Sequence, residues 1–482
     1  MPLREWSLLA FLVGLARLAH SGILWVEEAY PAAAALQMKH GLWPYRDFFY
    51  DKPPLPALLY RVTGITQGVE LRILGTLFVV WCAWLMADFA REHWGESESR
   101  AAAWLTAFFL TFDTPSAVMA LAPDLLMFVP HVAAVWLAWR RKALASGVMC
   151  GLAILTNAKG ALLIPVCMAF AGGFAWPVPF AALALATLPL WIGNYWQQVW
   201  EFGSLYAKDT FVAAPFAEGA QRTAGWLGFH AALVLPAAWA FWRERDWRWT
   251  LWIVLSCASV VMGLRFFPRY YFALLPVTIL LAARGLNLLP RLARMAAMAL
   301  LLIPAVRFGP RFLTLYGAGD AQWSDTAMNR DSRKVRDAFA PLSLHDETVF
   351  VWGYRPDILV YLGQPVGAPF LDSQPLTGVL ADRHLTSTQA TTPEHARANR
   401  ALLALRRPAY VIDGLGRYNP KLAITEYPEL AAWLAAHYKP FFSTEGTVVY
   451  RLASGAARPS GAVASPGTAP SSGAASAPRP AR

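Results

Sequence analysis

The sequence predicts a polytopic α-helical membrane protein, with about eleven transmembrane helices followed by a C-terminal extracytoplasmic α/β domain. Of its 482 residues, 56% are hydrophobic and only 15% are charged, whereas soluble domains carry charge on about a quarter of their residues. Apolar runs long enough to cross a bilayer, roughly 18 residues or more, recur along residues 1–310. After residue 310 the composition becomes mixed, which indicates a soluble unit.

The first predicted span covers 6–26, and it is not a signal peptide because no small-residue cleavage site precedes Glu27. The later spans are predicted near 70–90, 100–119, 123–139, 144–157, 160–174, 177–194, 224–242, 249–264, 270–284 and 294–308. The two short segments 144–157 and 160–174 are taken as separate helices. A single helix would invert every later span, and the basic loops after 242 and 284 argue against that.

Basic residues follow alternate predicted spans, and this asymmetry sets the orientation. They are Arg91; Arg140, Arg141 and Lys142; Arg243, Arg245 and Arg248; and Arg284, Arg291 and Arg294. We therefore expect these loops and the N-terminus in the cytoplasm. The loop 27–69, the turns near 112–122 and 265–269, the loop 195–223 and everything after about 309 are then outside.

The net charge of +11 does not indicate a nucleic-acid partner, because much of it lies in short loops between spans, where Lys and Arg set topology. The predicted partner is the lipid bilayer. The four cysteines have no Cys-x-x-Cys spacing, so they predict neither a zinc site nor a disulfide framework.

The chain divides into a transmembrane domain at 1–310, a soluble α/β domain at 311–452 and a tail at 453–482. Within the soluble domain, strands are predicted at 348–352, 409–413 and 447–452, and helices at 356–362 and 394–406. The tail is rich in Ala, Ser, Gly, Pro and Arg, and we expect it to be disordered.

Glu27 and Glu28 lie at the mouth of the first span. Carboxylates there are costly if they face lipid and are usually functional, and adjacent acids repel, which can raise the pKa of one of them. A general base at the membrane surface is one interpretation. The other is the solvated start of a helix, where acidic residues suit the helix dipole.

Asp51 and Lys52 precede a Pro-Pro pair that stiffens an extended segment. Lys52 would supply a point charge for a phosphate, although an ordinary loop with a turn explains the same residues. Asp124 follows Pro123 and heads an apolar span, either as a helix N-cap or as a second carboxylate on the side of Glu27.

Lys159 interrupts an apolar stretch, either as a turn between short helices or as a second phosphate contact. Arg265, Arg269 and Tyr270 form a basic and aromatic turn. This turn fits an interfacial anchor and a lipid-phosphate site equally well.

Together these motifs resemble the GT-C glycosyltransferases, the superfamily of protein O-mannosyltransferases and lipid A aminoarabinose transferases. The similarity lies in the Glu27-Glu28 pair, with Glu in place of the usual leading Asp, and in the loop GLWPYRDFFYDKPPL at 41–55. Shorter matches are PDLL at 123–126, the Lys-Gly turn within 155–165 and FFPRYY at 266–271.

The resemblance implies a bacterial inner-membrane enzyme that takes a sugar from a polyprenyl-phosphate carrier to a lipid, glycan or protein of the cell envelope. Transfer would occur in one step with inversion, on the outer face. It implies Glu27 as the general base, with Glu28 or Asp124 orienting the acceptor or supporting the base. The implied substrate-binding residues are Tyr45, Asp51, Lys52, Lys159, Arg265, Arg269 and Tyr270; Lys52, with Lys159 and Arg265 in support, would balance the leaving phosphate.

Two other functions fit the same composition. A transporter or flippase for a lipid-linked glycan would rely on intramembrane charges and broken helices, and an assembly scaffold would rely on the C-terminal domain. No cofactor is predicted with certainty. A divalent metal is compatible with the paired carboxylates, although two adjacent acids are too few ligands to argue for one.

Overall fold

The computed structural model describes residues 1–208, 214–342, 344, 347–379 and 390–453. It is mostly helical, with one small sheet near the C-terminus. The predicted disordered tail lies outside the described residues from residue 454 onward.

Residues 1–208 form twelve α-helices. They are α1 (Leu3–Leu18), α2 (Val26–Lys39), α3 (Leu55–Thr63), α4 (Gly68–His93), α5 (Glu96–Phe109), α6 (Pro115–Val118), α7 (Pro123–Leu126), α8 (Phe128–Trp139), α9 (Ala143–Thr156), α10 (Leu163–Ala171), α11 (Pro177–Ala186) and α12 (Phe202–Lys208).

The helices from residue 214 onward continue into the C-terminal domain. They are α13 (Pro215–Phe229), α14 (Ala231–Glu244), α15 (Trp247–Val261), α16 (Leu275–Leu288), α17 (Arg291–Ala299), α18 (Leu302–Ala318), α19 (Ala327–Phe339), α20 (Pro356–Leu362), α21 (Gln374–Thr377), α22 (Pro393–Ala404) and α23 (Pro428–His437). The strands are β1 (Val349–Trp352), β2 (Tyr410–Asp413), β3 (Tyr438–Ser443) and β4 (Val448–Leu452).

Among the described residues, three helical segments are long and apolar enough to cross a membrane: Gly68–His93, Pro268–Leu288 and Arg291–Ala318. Two bent pairs raise this number to five if each pair is one span, and four shorter apolar helices accompany them. The described residues thus include several helices that could span a membrane. The count of eleven spans stays a prediction.

The predicted first span at 6–26 is wrong in its extent. Helix α1 ends at Leu18, and a separate helix, α2, begins at Val26. Hydropathy alone does not detect this break, because the turn at His20, Ser21 and Gly22 is embedded between apolar residues. A second difference occurs in the predicted span 224–242, where α13 and α14 meet at an angle of 90°.

A buried ion pair between Glu28 of α2 and Arg72 of α4 holds these two helices together. Both side chains are fully buried, and Glu28 also accepts hydrogen bonds from the backbone N–H groups of Trp25 (3.2 Å) and Leu121 (3.0 Å). Arg72 in turn donates to the carbonyl of Met119 (2.6 Å). The pair therefore connects α2, α4 and the segment 118–121.

Arg17 of α1 reinforces the same segment. Its guanidinium donates to the carbonyls of Val118 and Met119, the latter at 3.0 Å. A Cβ at Gly75 of α4 would lie 2.5 Å from Nη1 of Arg17, so the absence of a side chain at Gly75 makes room for the guanidinium.

The C-terminal sheet has the order β1-β2-β4-β3. Strands β1 and β2 are parallel, and β4 is antiparallel to both β2 and β3. Strands β1, β2 and β4 coincide with the three predicted strands, whereas β3 was missed; its exposed residues and the irregular pairing at Pro440 hide the alternation that marks a strand. Helix α18 runs through Pro310 to Ala318, across the predicted domain boundary.

The C-terminal domain packs on α2 and on the loop that follows it. The side-chain amide of Gln37 donates to the carbonyl of Gln364 (3.2 Å) and accepts from the N–H of Val366 (2.8 Å). On the other side of the interface, the N–H of Phe49 donates to the carbonyl of Pro369 at 2.9 Å. These contacts hold the C-terminal domain against α2 and the loop that contains Phe49.

We predict that Arg72→Met lowers the free energy of unfolding by about 3–5 kcal/mol, because it leaves the Glu28 carboxylate buried without its cation. Thermal unfolding of the purified protein in detergent measures this loss. The control is Arg100→Met, which removes a surface pair with Glu5 in which Arg100 is 64% exposed; we expect a change of about 0–1 kcal/mol. Equal stability of the two variants would contradict the prediction.

Candidate active site

The side chain of Arg269 lies between two of the predicted acidic residues. Its Nη1 atom contacts Oε1 of Glu27, and its Nε atom is 4.0 Å from Oδ2 of Asp124. Glu27 and Arg269 are 242 positions apart in the sequence. Each of the three residues lies at the start of a helix or a 3₁₀ segment. The fold thus brings Glu27, Asp124 and Arg269 together.

Lys159 and Tyr270 extend this group. The Lys159 ammonium lies 3.4 Å from the centre of the Tyr270 ring, a cation–π contact. The side-chain amide of Asn157 donates to Oδ1 of Asp124 at 2.9 Å. We call these six residues the Arg269 cluster: Glu27, Asp124, Asn157, Lys159, Arg269 and Tyr270.

A break between two apolar helices positions Lys159. Helix α9 ends at Thr156, and the Asn157 side chain then accepts a hydrogen bond from the N–H of Lys159 at 3.1 Å, which caps a short 3₁₀ turn. Gly160 packs so closely on the end of α9 that a Cβ there would lie 2.5 Å from the Ala153 carbonyl carbon. The predicted Lys-Gly turn is confirmed. Asn157 was missed as a site residue, although its place beside Lys159 at a helix end was a signal.

The turn that carries Arg269 has an unusual backbone. Leu264 and Phe266 adopt left-handed conformations with φ of 51° and 48°, which cost energy in non-glycine residues and cluster at functional sites. Between them, the Arg265 side chain is 1% exposed, and the Arg265 carbonyl accepts a hydrogen bond from Arg222 at 2.7 Å. Arg265 is therefore in the buried part of the turn, whereas Arg269 reaches the acids.

The loop 41–55 is also held by specific contacts. Tyr45 has a φ of 67°, and its hydroxyl donates to the carbonyl of Lys52 at 2.6 Å. The Lys52 ammonium is 2.6 Å from Oδ2 of Asp51. The N–H of Tyr50 donates to the side chain of Gln198 at 2.8 Å. The predicted residues Tyr45, Asp51 and Lys52 are thus joined to one another by direct contacts.

Glu28 has a different environment from Glu27, although the two are adjacent. Its carboxylate is enclosed by Arg72 and by backbone N–H groups, so it does not join the Arg269 cluster. The prediction that Glu28 orients an acceptor has no geometric support, because a fully buried, fully engaged carboxylate is not open to a substrate.

Tyr354 and Asp372 of the C-terminal domain approach the same region, and sequence reasoning assigned them no role. Burial raises the pKa of Tyr354 well above its usual value, and the negative charges of Asp51, Glu27 and Asp372 raise it further, against a smaller opposing effect of Arg269. Tyr354 directly follows strand β1. This position after a strand was the indication of a functional role in the sequence, because ligands often bind at the carboxyl ends of parallel strands.

A cavity of about 10 Å³ lies beside the cluster, with Lys159, His131 and Ser256 among its lining residues. This volume holds roughly one water molecule. A sugar or a lipid phosphate would therefore bind at the open surface, or only after the side chains around the cavity rearrange. Among the described residues, no group of three or more His, Cys, Asp or Glu side chains is arranged to hold a metal ion. The divalent ion compatible with the sequence stays a prediction.

Comparison with known proteins gives a match at the level of structure. No protein-family model matches the chain, and no curated protein matches it by sequence. The structure of ArnT from Cupriavidus metallidurans bound to undecaprenyl phosphate aligns with a TM-score of 0.63 and 13% identity, over 95% of this chain and 99% of that chain. The chain has the fold of ArnT.

The same protein in the apo state aligns with a TM-score of 0.59 and 13% identity, over 93% of this chain and 97% of that one. An oligosaccharyltransferase from Archaeoglobus fulgidus aligns at a TM-score of 0.49 with 13% identity, over 94% and 75% of the two chains, too low to define the fold. The resemblance predicted from the sequence therefore agrees with the fold, which is that of ArnT.

Proposed function

We propose that the protein is an integral membrane glycosyltransferase that moves a sugar from a polyprenyl-phosphate carrier to a cell-envelope acceptor. The observation that carries the proposal is the contact of Arg269 with Glu27, near Asp124, within the fold of ArnT. An ArnT structure with the same fold is bound to undecaprenyl phosphate, which supports a polyprenyl-phosphate donor for this chain.

In the proposed reaction, an acceptor hydroxyl attacks the anomeric carbon of the donor sugar in a single step. Glu27 takes the hydroxyl proton as the new C–O bond forms. The bond between the anomeric carbon and the phosphate oxygen breaks, its electron pair stays on the phosphate, and the configuration at carbon inverts. The leaving group is already a phosphate, so its departure does not depend on a general acid.

The cations of the site would stabilise the leaving phosphate. Lys52 and Lys159 each supply an ammonium, and Arg269 supplies a guanidinium whose planar fork suits a phosphate. Arg265 remains a weaker candidate, because its side chain is almost wholly buried. Tyr45 would hold the Lys52 backbone, and Tyr270 would hold the Lys159 ammonium in place.

Asp124 would support the base, since it shares Arg269 with Glu27 and is itself oriented by Asn157. We assign the site to the outer face of the bacterial inner membrane, with the N-terminus in the cytoplasm and the C-terminal domain outside. The alternation of basic loops supports this orientation.

A transport function has one observation in its favour. The segments Pro177–Leu205 and Pro215–Glu244 are bent by 112° and 90°, and transporters use broken helices at their binding sites. A transporter needs no base, so the Glu27 variant below separates the two functions.

We predict that Glu27→Gln abolishes sugar transfer in membranes without lowering the amount of protein, because a positioned general base contributes about 10²–10⁴-fold to the rate. Transfer is measured with radiolabelled polyprenyl-phosphate sugars. Glu28→Gln is the matched control: it weakens the buried pair with Arg72, so it should reduce the amount of folded protein. Transfer by Glu27→Gln above about a tenth of wild type would remove Glu27 from the base role.

Lys52→Ala should raise KM for the polyprenyl-phosphate donor more than KM for the acceptor, because a cation that binds phosphate is lost. Steady-state kinetics in detergent with each substrate varied in turn give both constants. Lys39→Ala, which removes an exposed ammonium 3.5 Å from the Gly64 carbonyl, serves as the control with unchanged kinetics. A rise limited to the acceptor KM would contradict the assignment.

The orientation makes a separate prediction about topology. Reporter fusions after residues 92, 142 and 246 should report the cytoplasm, and a fusion after residue 320 should report the outside, because the basic loops lie on the cytoplasmic side. A fusion at 142 that reports the outside would place Asp124 on the wrong side, and a fusion at 320 that reports the cytoplasm would remove the C-terminal domain from the outer face.

A further inference from the structure

Two loops of the C-terminal domain lie against the loop 41–55. The first follows strand β1 and begins at Gly353; the second contains Pro369 and Ser373. The N–H of Gly353 donates to the Ser373 hydroxyl at 2.8 Å, which fastens the two loops together. The N–H of Phe49 donates to the Pro369 carbonyl at 2.9 Å, which fastens them to the membrane domain.

Tyr354 lies at this junction. Its ring packs on the ring of Tyr30 with centroids 5.4 Å apart, and Tyr30 stacks on Tyr50 at 5.0 Å. Asp51 follows Tyr50 in the chain, and Tyr30 is three residues after Glu27 on α2. The ring contacts therefore place Tyr354 beside α2 and the loop 41–55, the two segments that carry Glu27 and Asp51.

The hydroxyl of Tyr354 stays protonated at neutral pH. Burial and the negative charges of Asp51, Glu27 and Asp372 all raise its pKa, and Arg269 opposes them only in part. A protonated phenol is a hydrogen-bond donor, so Tyr354 cannot be the base. It is suited to stabilise a neighbouring carboxylate in its charged form.

We propose that the active site is composite, and that Tyr354 of the C-terminal domain is a positioning residue whose hydroxyl donates its one hydrogen bond to the carboxylate of Glu27 or of Asp51. The inference rests on the proposed function, in which Glu27 is the base and Asp51 holds Lys52. It gives the C-terminal domain a direct part in the reaction, since the site lacks this donor when the domain is displaced.

A loss of the Tyr354 hydroxyl would change the titration of the site in one direction. A hydrogen bond to the charged form of a carboxyl group lowers its pKa, so removal of the donor raises it. The base is then protonated at higher pH, and activity is lost on the acidic side. The other charged and titratable groups around the two carboxylates stay in place: Arg269, Asp124, Lys52, Tyr30, Tyr45, Tyr50 and Asp372.

The test compares two tyrosine variants of the full-length protein in detergent. Tyr354→Phe removes the hydroxyl and keeps the ring that packs on Tyr30. Tyr438→Phe is the matched control, because it removes a hydroxyl that donates to the Pro408 carbonyl at 2.9 Å within the same domain. Two quantities are measured: the pH profile of kcat/KM, and the pH dependence of carbodiimide labelling at Glu27 and Asp51 by mass spectrometry.

For Tyr354→Phe we expect the acidic limb of the kcat/KM profile to move up by about half to one pH unit, which is the pKa equivalent of one hydrogen bond. The labelling midpoint of Glu27 or Asp51 should move by a similar amount. Tyr438→Phe should leave both quantities at their wild-type values, although it removes a buried hydroxyl.

A variant outside the site tests the role of domain docking. Gln37→Ala removes both hydrogen bonds to Gln364 and Val366, and Gln37 is not one of the Arg269 cluster residues. If the domain supplies Tyr354 to the site, Gln37→Ala should move the acidic limb in the same direction as Tyr354→Phe.

The outcomes separate this inference from the proposed function. If the wild type transfers sugar and Tyr354→Phe leaves both the pH profile and the labelling midpoints unchanged, the inference is overturned and the proposed function stands. A moved labelling midpoint in a protein that transfers no sugar would support the positioning role and refute the reaction. A fall in stability alone, with both pH dependences unchanged, would make Tyr354 a purely structural residue and overturn the inference.

Discussion

The buried ion pair between Glu28 and Arg72 is the contact on which the geometry of the proposed site depends. Arg72 lies on α4, Glu28 on α2, and the Glu28 carboxylate also binds the N–H of Leu121. Glu27 is the residue before Glu28, and Asp124 follows three residues after Leu121, so one interaction sets the distance between the two acids. A buried pair of this kind is weak evidence for net stability, but the loss of one partner is strongly unfavourable. It therefore specifies one arrangement of the segments around it.

The same pair explains how two adjacent carboxylates are tolerated at the start of a helix. Successive residues of an α-helix point about 100° apart, so Glu28 faces Arg72 in the interior while Glu27 faces Arg269. Each acid has its own guanidinium, and their mutual repulsion is offset. The first turn of α2 adds a favourable dipole interaction with both charges.

Much of this arrangement could be predicted from the sequence, because it depends on local patterns. Hydropathy indicated the apolar helices, and short apolar runs indicated β1, β2 and β4, while a site near Lys52 stays a prediction. What could not be predicted is long-range pairing. Arg72 was an unremarked charge in an apolar run, and Asn157 was an ordinary polar residue at a helix end. Tyr354 belongs to a domain that begins hundreds of residues after Glu27. Such roles are fixed by tertiary contacts, which no short window of sequence contains.

The charges of the site also constrain how a phosphate can bind. Asp51 pairs with Lys52, while Glu27 and Asp124 contact Arg269 and Lys159 lies near Asp124 and Arg269, so the three named acids are balanced by three cations. A lipid phosphate adds negative charge, and it must therefore share a cation with an acid that already contacts one. Arg269 is the cation that two acids share, and its planar fork binds phosphate well. Under the proposed function, a phosphate that draws Arg269 toward itself weakens the ion pair on Glu27. The Glu27 carboxylate is then released to take the proton of the acceptor hydroxyl, so donor binding and activation of the base would be coupled through one side chain.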